Sequence, residues 1–352
     1  MWVHSKGFIG RGFGELSVKF AVVGTGFGAV HLSWLTECRS ASVEVLCYNN
    51  DDSRARQLAE KHGVGQISSD PVAVIRSGSV DAVAVIAPPG ARSEILTAAL
   101  DAGLLVVCDK PLSVDAGSAE TLLRQAEKAG VAGFVTFQWR LNRALRQLRT
   151  MLREGRLGRL VALDLEFHHD FLSGPRTAWP WRHDRRVAGA GALADQGVHL
   201  FDTILWLTGT PWSVDACRTD TVFASRQTPH GVVDGETEDV ASLRLSGGAG
   251  ASARIFVSRV SAGYRSIRIL VQGEKGTAVL SLDPDDGSGN LRVSVLKQPV
   301  EVTEFGPDAM NVYRAILGED ADAADVATFA DAVAAQKLVD QALSRVTHPE
   351  RD

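Results

Sequence analysis

The sequence contains few cysteines, no excess of basic charge and no long apolar run. Its four cysteines lack the Cys-x-x-Cys spacing of zinc and redox sites, so we predict reduced thiols in a cytoplasmic protein. A net charge of −5 at pH 7 argues against nucleic acid or an anionic membrane as a partner. A membrane span requires roughly 18 apolar residues, and no run in the sequence approaches that length.

The length of 352 residues predicts two domains, because a single core seldom grows that large. Residues 1–17 lack the continuous apolar segment of a signal peptide, and we interpret them as an N-terminal extension. The sequence pattern changes near residue 138. We therefore place a first domain at residues 18–137 and a second domain, of the α+β class, at residues 138–352.

The first domain alternates short apolar runs with helix-length segments. The runs are typical of strands buried on both faces, and they cover 19–24, 43–49, 81–87, 104–109 and 132–137. Helices are predicted near 29–37, 52–62, 91–102 and 114–129. We expect Ser113 to cap the last helix and Gly130 to end it. Strand–helix repetition of this kind predicts a doubly wound parallel sheet of the Rossmann type.

The second domain begins with a predicted helix at 142–155 and a long strand at 159–171. An apolar helix follows at 189–209, and short alternating strands fill residues 212–300. A terminal helix near 322–345 completes a domain built on a large, mostly antiparallel open sheet. Large exposed apolar patches are unusual, so we predict that a homodimer or homotetramer covers the open face of this sheet.

A glycine-rich turn predicts a dinucleotide site in the first domain. The segment Gly24-x-Gly26-x-x-Ala29 follows a predicted strand and opens a predicted helix. Gly24 is expected to make the tight turn, Gly26 to admit the pyrophosphate, and Ala29 to let helix and strand pack closely. The alternative is a plain strand–helix turn. An earlier glycine cluster at 7–15 follows no strand, and we assign it no role.

The end of the second predicted strand bears on the choice between NAD and NADP. An acidic residue that bonds the ribose hydroxyls is expected there, and the position falls on Asn49. Asp51 and Asp52 lie close by, and Arg54 is the nearby cation that could accept a phosphate. The choice stays open, and the two acids favour NAD.

A lysine lies at the end of a buried strand in "LLVVCDKPLS". Ligands of open α/β sheets bind at the carboxyl ends of the strands, so Lys110 is predicted to lie at the nicotinamide end of the cofactor. Pro111 favours an extended backbone at Lys110, which ends the strand there. A surface lysine in a loop is the alternative interpretation.

The apolar helix at 189–209 contains Asp195, His199 and Asp202. In an α-helix, Asp195 and His199 project from one face, and Asp202 continues that stripe. A solvated polar face and a metal site shared with His168 or His169 are two alternatives; neither has supporting charge pattern or ligand spacing, and we predict no metal. We favour an acid/base pair beside the cofactor, since a neutral imidazole suits the proton released when an alcohol is oxidised.

With these motifs in order, the chain resembles the glucose–fructose oxidoreductase, inositol dehydrogenase and rhizopine-catabolism family of NAD(P)-dependent oxidoreductases. The similar segments are "GTGFGA", "VIAPPGA", "CDKPLS", "EGRLGRL" and "WRHDRRVAGAGALADQGVHLFD", from about residue 18 onward. Departures from the family pattern are Asp109 for the commoner glutamate, Ala190 within a triple glycine, and Arg92 where many members carry histidine.

The resemblance implies a catalytic trio of Lys110, Asp195 and His199. We predict His199 as general base, with Lys110 as a competitor for the proton; Lys110 also holds the substrate hydroxyl, and Asp195 bonds the substrate or Lys110. The predicted cofactor-binding residues are Gly24, Gly26, Phe27, Gly28, Ala29, Asn49, Arg54, Pro89, Asp109 and Lys110. The predicted substrate contacts are Arg140, Trp181, Arg182, Asp195 and His199, of which Arg140, Trp181 and Arg182 also suit purely structural roles.

The function that follows from the sequence is hydride transfer between NAD(P) and a secondary alcohol or ketone of a sugar, cyclitol or related polyol. A polyhydroxylated substrate suits a wet, polar cleft between the two predicted domains. Two alternatives stay open: a non-catalytic sensor that binds the dinucleotide, and a glycosidase that uses tightly held NAD for transient oxidation.

Overall fold

The computed structural model describes residues 17–49, 51–320 and 325–347. The predicted extension at 1–17, apart from Ser17, and the glycine cluster at 7–15 lie outside the described residues. Contacts divide the chain into two units. The first unit runs to Ser113 and adds Gly117–Gln138 and Asn311–Val333, whereas Val114–Ala116, Trp139–Met310 and the residues from Ala334 form the second. Residues 311–333, which the sequence assigns to the second domain, thus belong to the first unit.

The first unit is built on a parallel sheet. Its strands are β1 (Val18–Val23), β2 (Ala41–Cys47), β3 (Gln66–Ser68), β4 (Ala82–Val85), β5 (Leu105–Cys108), β6 (Gly133–Val135) and β17 (Ala327–Thr328). Among the described residues, these seven strands follow the order β17-β6-β5-β4-β1-β2-β3. Every pair is parallel except β17 with β6. The predicted doubly wound parallel sheet is confirmed.

The helices of the first unit are α1 (Gly28–Thr36), α2 (Asp52–His62), α3 (Pro71–Arg76), α4 (Ser93–Asp101), α5 (Ala116–Ala129) and α9 (Val312–Ile316). The sequence missed β3 and α3, because residues 66–68 offer only one large apolar side chain and α3 spans only six residues. The predicted cap of α5 is wrong: the helix begins three residues after Ser113, and the first amide, at Ala116, donates to the Asp340 carboxylate. Gly130 ends it in the left-handed conformation as expected, with φ +66°.

The second unit is built on an open sheet. Its strands are β7 (Leu160–His168), β8 (Trp212–Asp220), β11 (Val240–Gly247), β12 (Ser252–Ser258), β13 (Ser266–Gly273), β14 (Gly276–Leu282), β15 (Gly289–Val295) and β16 (Glu301–Phe305). Across the described residues these strands follow the order β16-β15-β14-β13-β7-β12-β11-β8, with β12 and β7 parallel and the other neighbours antiparallel. The predicted mostly antiparallel sheet is confirmed. A separate hairpin pairs β9 (Ser225–Thr228) with β10 (Gly231–Asp234).

One face of the open sheet forms the core of the second unit. The buried positions alternate along the strands, as in Leu163, Leu165 and Phe167 of β7, and α6 (Arg143–Arg153) and α8 (Val198–Thr208) pack on this side. The short helix α7 (Arg185–Ala188) lies in the lead-in to α8, and α10 (Phe329–Ser344) begins in the first unit and ends in the second.

The opposite face of the sheet carries charged pairs. Asp164 pairs with Arg254, and Glu166 lies 3.7 Å from Arg268, all on outward positions of neighbouring strands. The homodimer or homotetramer that would cover this face stays a prediction. Within the described residues, every helix is too short or too polar to span a bilayer.

Candidate active site

The glycine turn between β1 and α1 has the backbone that the fingerprint predicts. Gly24 has φ +119°, and a Cβ there would lie 2.8 Å from the Ile86 carbonyl oxygen, so a side chain is excluded on two grounds. Counting the described residues, no atom lies within 4 Å of the position that a Cβ at Gly26 would take. The turn thus leaves open space beside a bare backbone, which suits the close approach of a pyrophosphate.

The start of α1 packs on β1 through a glycine. Gly28 is buried, and a Cβ there would meet Val22 Cγ1 of β1 at 3.9 Å, whereas Ala29 is half-buried. The packing role of Ala29 stays a prediction. Phe27 is 46% exposed at the mouth of the turn, and, as far as the described residues show, α1 starts without a capping side chain. The Ala29 and Val30 amides donate to the Gly26 and Phe27 carbonyls, and the positive end of the helix dipole faces the turn, where it can attract an anion.

The ribose end of the site is more acidic than basic. Asn49 is exposed after β2, and Asp51 caps α2 by accepting from the Arg54 amide at 3.1 Å. That amide and the Ser53 hydroxyl hold the pKa of Asp51 below its ordinary value, so the group is anionic. Arg54 turns to the glycine turn and donates from Nε to the Thr25 carbonyl at 2.8 Å. This arrangement favours NAD, since a 2′-phosphate would approach the Asp51 carboxylate.

Lys110 lies two residues after β5, half-buried, and its bond to Pro111 is cis. The preceding Asp109 anchors this strand end: its amide donates to the Val85 carbonyl, and its carboxylate accepts from the Thr136 hydroxyl at 2.7 Å. Asp109 is thereby engaged within the sheet edge.

Arg92, just ahead of α4, contacts this strand end. From the sequence it was named only as a departure from the family pattern. It is 2% exposed, and its guanidinium donates to the carbonyl oxygens of Ala87, Asp109 and Pro111. The last two carbonyls flank Lys110. Pro89, also buried, opens the short turn that leads to Arg92. The signal that could have found Arg92 was an arginine in an otherwise small and apolar loop, "APPGARS".

In the second unit, Asp195 lies in a π-helical turn rather than in a regular α-helix. The turn covers Leu193–Gly197 and runs directly into α8, which carries His199. Because a π-turn holds more residues per turn than an α-helix, the simple four-residue stripe predicted from the sequence does not apply. π-Turns of this kind are common at functional sites.

Arg182 is the partner that the structure gives to Asp195. Arg182 Nη1 lies 2.7 Å from Asp195 Oδ2, and the side chains are 24% and 13% exposed. The guanidinium also lies 4.5 Å from the ring centre of Trp181 and 5.3 Å from that of Phe171. Asp195 is therefore held in a fixed orientation by a neighbouring cation.

His199 and Asp202 are both buried on α8. His199 is 5% exposed and lies beside Phe167, with ring centres 6.2 Å apart. Asp202 does not share a solvent-facing stripe with it, because its carboxylate forms a buried two-point ion pair with Arg140, with Arg140 Nε 2.9 Å from Asp202 Oδ2. Arg140 thus forms a buried ion pair, and its contact with substrate stays a prediction.

The glycines ahead of Asp195 have steric roles. A Cβ at Gly191 would lie 1.9 Å from the Glu238 carbonyl oxygen, and one at Gly189, where φ is +79°, would lie 2.5 Å from the Val114 carbonyl oxygen. Gly197 is buried against Ala192 and Leu193.

The two histidines at the end of β7, His168 and His169, have different hydrogen-bond partners. His168 Nδ1 lies 3.0 Å from the Ser261 hydroxyl, and His169 Nδ1 accepts from the amides of Asp170 and Phe171. Over the described ranges, no three histidine, cysteine, aspartate or glutamate side chains converge as a metal site would require.

Two models of known protein families match the two halves of the chain. Residues 18–137 match the model described as "Oxidoreductase family, NAD-binding Rossmann fold", and residues 145–279 match "GFO/IDH/MocA C-terminal domain".

Similar proteins include an uncharacterized oxidoreductase of Synechocystis, 27% identical over 78% of this chain and 73% of its own length. Levoglucosan dehydrogenase of Pseudarthrobacter phenanthrenivorans is 24% identical, with 66% of this chain and 63% of the relative aligned. Myo-inositol dehydrogenase Hyg17 of Streptomyces leeuwenhoekii is 31% identical, but the aligned part covers 54% of this chain and 55% of the relative. This chain therefore spans less than two thirds of the length of the levoglucosan and myo-inositol dehydrogenases.

Solved structures share the fold at low identity. An oxidoreductase domain protein from Kribbella flavida superposes with a TM-score of 0.82 at 23% identity, covering 94% of this chain and 98% of the other. Levoglucosan dehydrogenase in complex with NADH and levoglucosan gives 0.83 at 19% identity, with 94% and 97% covered. An inositol dehydrogenase homolog from Azotobacter vinelandii with NAD+ gives 0.79 at 23% identity, with 94% and 95% covered.

Proposed function

Because the chain belongs to the GFO/IDH/MocA family of NAD-binding oxidoreductases, we propose that it transfers a hydride between NAD and a secondary alcohol or ketone of a sugar, cyclitol or related polyol. The observation that supports this most directly is the bare backbone at Gly26 with open space beside it, at the start of a helix in a parallel sheet. Relatives named for levoglucosan and myo-inositol support the substrate class.

The cofactor would be held by the glycine turn and by the edge of the sheet. Gly24, Gly26 and the N-terminal end of α1 would meet the pyrophosphate, and Asn49 would bond the ribose. Bound NAD supplies a hydride acceptor at its nicotinamide ring. The acidic rim at Asp51 supports NAD over NADP, since it repels an added phosphate.

Three side chains would handle the proton and the substrate oxygen. We assign the proton to His199, because an imidazole is the side chain that most often serves as a general base. Lys110 would donate to the reacting oxygen and stabilise the negative charge that develops there. Asp195, fixed by Arg182 at 2.7 Å, would accept a hydrogen bond from a substrate hydroxyl.

The proposal extends to location and assembly. All four cysteines are free and buried, which supports a protein of the reducing cytoplasm. A homodimer or homotetramer through the polar face of the open sheet would use its mixed charges rather than an apolar patch.

A substrate panel tests the function. Sugars, inositols and their keto forms are supplied with NAD(H) and with NADP(H), and formation or loss of the reduced cofactor is followed by absorbance. We expect turnover with at least one polyol, faster with NAD, and a loss on the order of 10²–10⁴ in Lys110→Met. Lys61→Met, at an exposed position of α2, is the matched control and should behave as wild type.

Two other outcomes would replace the proposal. Tight NADH binding without turnover on the whole panel would favour the dinucleotide sensor. Cleavage of a glycoside without net formation of NADH would favour the NAD-dependent glycosidase.

A further inference from the structure

Four consecutive residues ahead of β11, Glu236–Asp239, hold the segments that carry Arg182 and Asp195; we call them the 236–239 segment. Its first two residues bind the segment around Arg182. The Thr237 hydroxyl donates to the Arg182 carbonyl at 2.8 Å, and the Glu236 amide donates to the His183 carbonyl at 3.1 Å. The backbone on which Arg182 stands is thus fixed from one side.

Glu238 fixes the π-turn that carries Asp195. Its carboxylate is 3% exposed, and Oε1 accepts from the amides of Gly191 at 2.8 Å and Leu193 at 3.0 Å. Its carbonyl accepts from the amide of Ala192 at 2.8 Å. The three successive amides of residues 191–193, which lead into the π-turn, therefore all donate to Glu238. The Asp195 amide donates to the Gly191 carbonyl at 2.9 Å.

The Asp239 carboxylate forms ion pairs with two buried arginines. Asp239 Oδ1 accepts from Arg226 at 2.8 Å and from Arg259 at 2.9 Å, and both arginines are 1% exposed. Arg226 in turn donates to the carbonyl of Leu172, next to Phe171, and Arg259 donates to both oxygens of Thr237. Removing the carboxylate would leave two buried cations without their shared anion.

Burial shifts two titratable side chains of this network. It raises the pKa of the Glu238 carboxylate above its ordinary value, against the hydrogen bond from the Leu193 amide. Burial and the cations of Arg259 and Arg226 lower the pKa of His183 to about 4, so the ring does not add a third positive charge.

We propose that the 236–239 segment is a positioning element that aligns Arg182 and Asp195 on one another, a role that rests on the proposed function for its effect on catalysis. Thr237, Glu238 and Asp239 are 0–3% exposed, so they lie behind the site and act through Arg182 and Asp195. The 2.7 Å ion pair joins the two segments that they hold.

The first test measures position without activity. Amide hydrogen exchange is followed by mass spectrometry in wild type, Glu238→Ala, Glu238→Gln and the surface control Glu301→Ala. We expect Glu238→Ala to speed exchange in peptides covering 189–197 by about tenfold, with the first unit unchanged. Glu238→Gln should restore slow exchange, because its amide oxygen can accept from the same two amides.

A milder variant keeps the test decisive if Glu238→Ala does not fold. Thr237→Val preserves the shape of the side chain and removes the hydroxyl that Arg182 and Arg259 use. Faster exchange confined to peptides covering 180–186 is expected. Unchanged exchange in Thr237→Val, or unchanged exchange at 189–197 in a folded Glu238→Ala, overturns the positioning role.

The second test is kinetic and separates positioning from general stability. Glu238→Ala should lower kcat/KM for the polyol by about tenfold or more while the NADH dissociation constant stays within about twofold. In an Asp195→Asn background the same change should have little further effect, because the group that it positions is already lost. Full additivity of the two substitutions would contradict a role exerted through Asp195. Inactive wild type with altered exchange in Glu238→Ala would refute the proposed function and leave the positioning role standing.

Discussion

At the scale of single residues, the two glycines of the turn, Gly24 and Gly26, differ in how strongly the surrounding structure restrains them. Gly24 has a backbone that side chains rarely adopt and a carbonyl 2.8 Å from its absent Cβ, whereas Gly26 has neither restraint within the described residues. A purely structural turn would therefore tolerate alanine at the second position. A cost of alanine at position 26 would therefore point to a bound ligand.

The first prediction compares these two positions. Gly26→Ala should leave the thermal midpoint within about 2 °C of wild type and raise the NADH dissociation constant about tenfold or more, because the methyl group takes the space of the pyrophosphate. Gly24→Ala should lower the stability by about 1–3 kcal/mol through backbone strain. Fluorescence titration with NADH and thermal unfolding give the two values. Unchanged affinity in Gly26→Ala would remove the dinucleotide from this turn.

A second residue-scale prediction concerns the buried pair of Arg140 and Asp202. Both side chains are 3–7% exposed, so Asp202→Asn removes the anion from a buried ion pair. We expect a loss of about 3–5 kcal/mol in the free energy of unfolding, measured in urea. Asp52→Asn is the control, since Asp52 forms an exposed pair with Arg56, for which a loss of about 0.5 kcal/mol or less is expected. Equal losses in the two variants would contradict the structural assignment of Arg140.

At the scale of elements, the π-turn ahead of α8 depends on what packs against its lead-in. Gly191 and Gly197 lie six residues apart in one glycine-rich stretch. A Cβ at Gly191 would overlap the Glu238 carbonyl oxygen, whereas a Cβ at Gly197 would meet the Ala192 carbonyl oxygen at 3.5 Å, an ordinary van der Waals contact. The steric requirement for glycine therefore differs between these two positions.

This contrast gives a matched pair of substitutions. Gly191→Ala should destabilise the second unit by more than about 2 kcal/mol, because the Glu238 carbonyl must move aside. Gly197→Ala meets its nearest atom at 3.5 Å and should be neutral or stabilising by up to about 1 kcal/mol, as alanine favours helix. Urea unfolding of the two variants measures both effects. A larger loss at Gly197 than at Gly191 would contradict the packing described for the turn.

The elements show how far the sequence could be read without the structure. The sequence predicted the parallel strands other than β3 correctly, since valine-rich runs such as Ala82–Val85 mark strands buried on both faces. The π-turn was missed, because a single extra residue per turn leaves the apolar pattern of 193–208 intact. The roles of Arg92, Glu238 and Asp239 were missed because each depends on backbone groups far away along the chain. The family resemblance assigned Lys110, Asp195 and His199 to the site, which stays a prediction, and it did not indicate that Arg182 pairs with Asp195.

At the scale of the whole molecule, the predicted family is confirmed, and both units contain buried histidines that affect stability. Burial lowers the pKa of His31 to about 4, and Nδ1 of His31 lies 2.6 Å from the Tyr313 hydroxyl in the first unit. His183 of the second unit has a similarly lowered pKa of about 4, chiefly through burial.

These two histidines predict an acid-sensitive fold. In the unfolded chain each ring takes up a proton near pH 6.5, whereas the folded protein keeps it neutral to about pH 4. The unfolded state therefore binds more protons in this window, and stability falls as the pH drops from about 6.5 towards 4. For His31 the full effect is about 3 kcal/mol. His31→Gln should reduce the difference between urea midpoints at pH 7 and pH 5; an unaltered difference would exclude His31 as a source.

The most direct test of hydride transfer follows the hydrogen itself. A polyol that is turned over is supplied with deuterium on the reacting carbinol carbon, and the NADH formed is analysed by mass spectrometry for wild type and Lys110→Met. We predict one deuterium in each NADH formed by wild type, and NADH formation slower by about a hundredfold or more in the variant. NADH without deuterium, or equal rates in the two proteins, would contradict direct transfer assisted by Lys110.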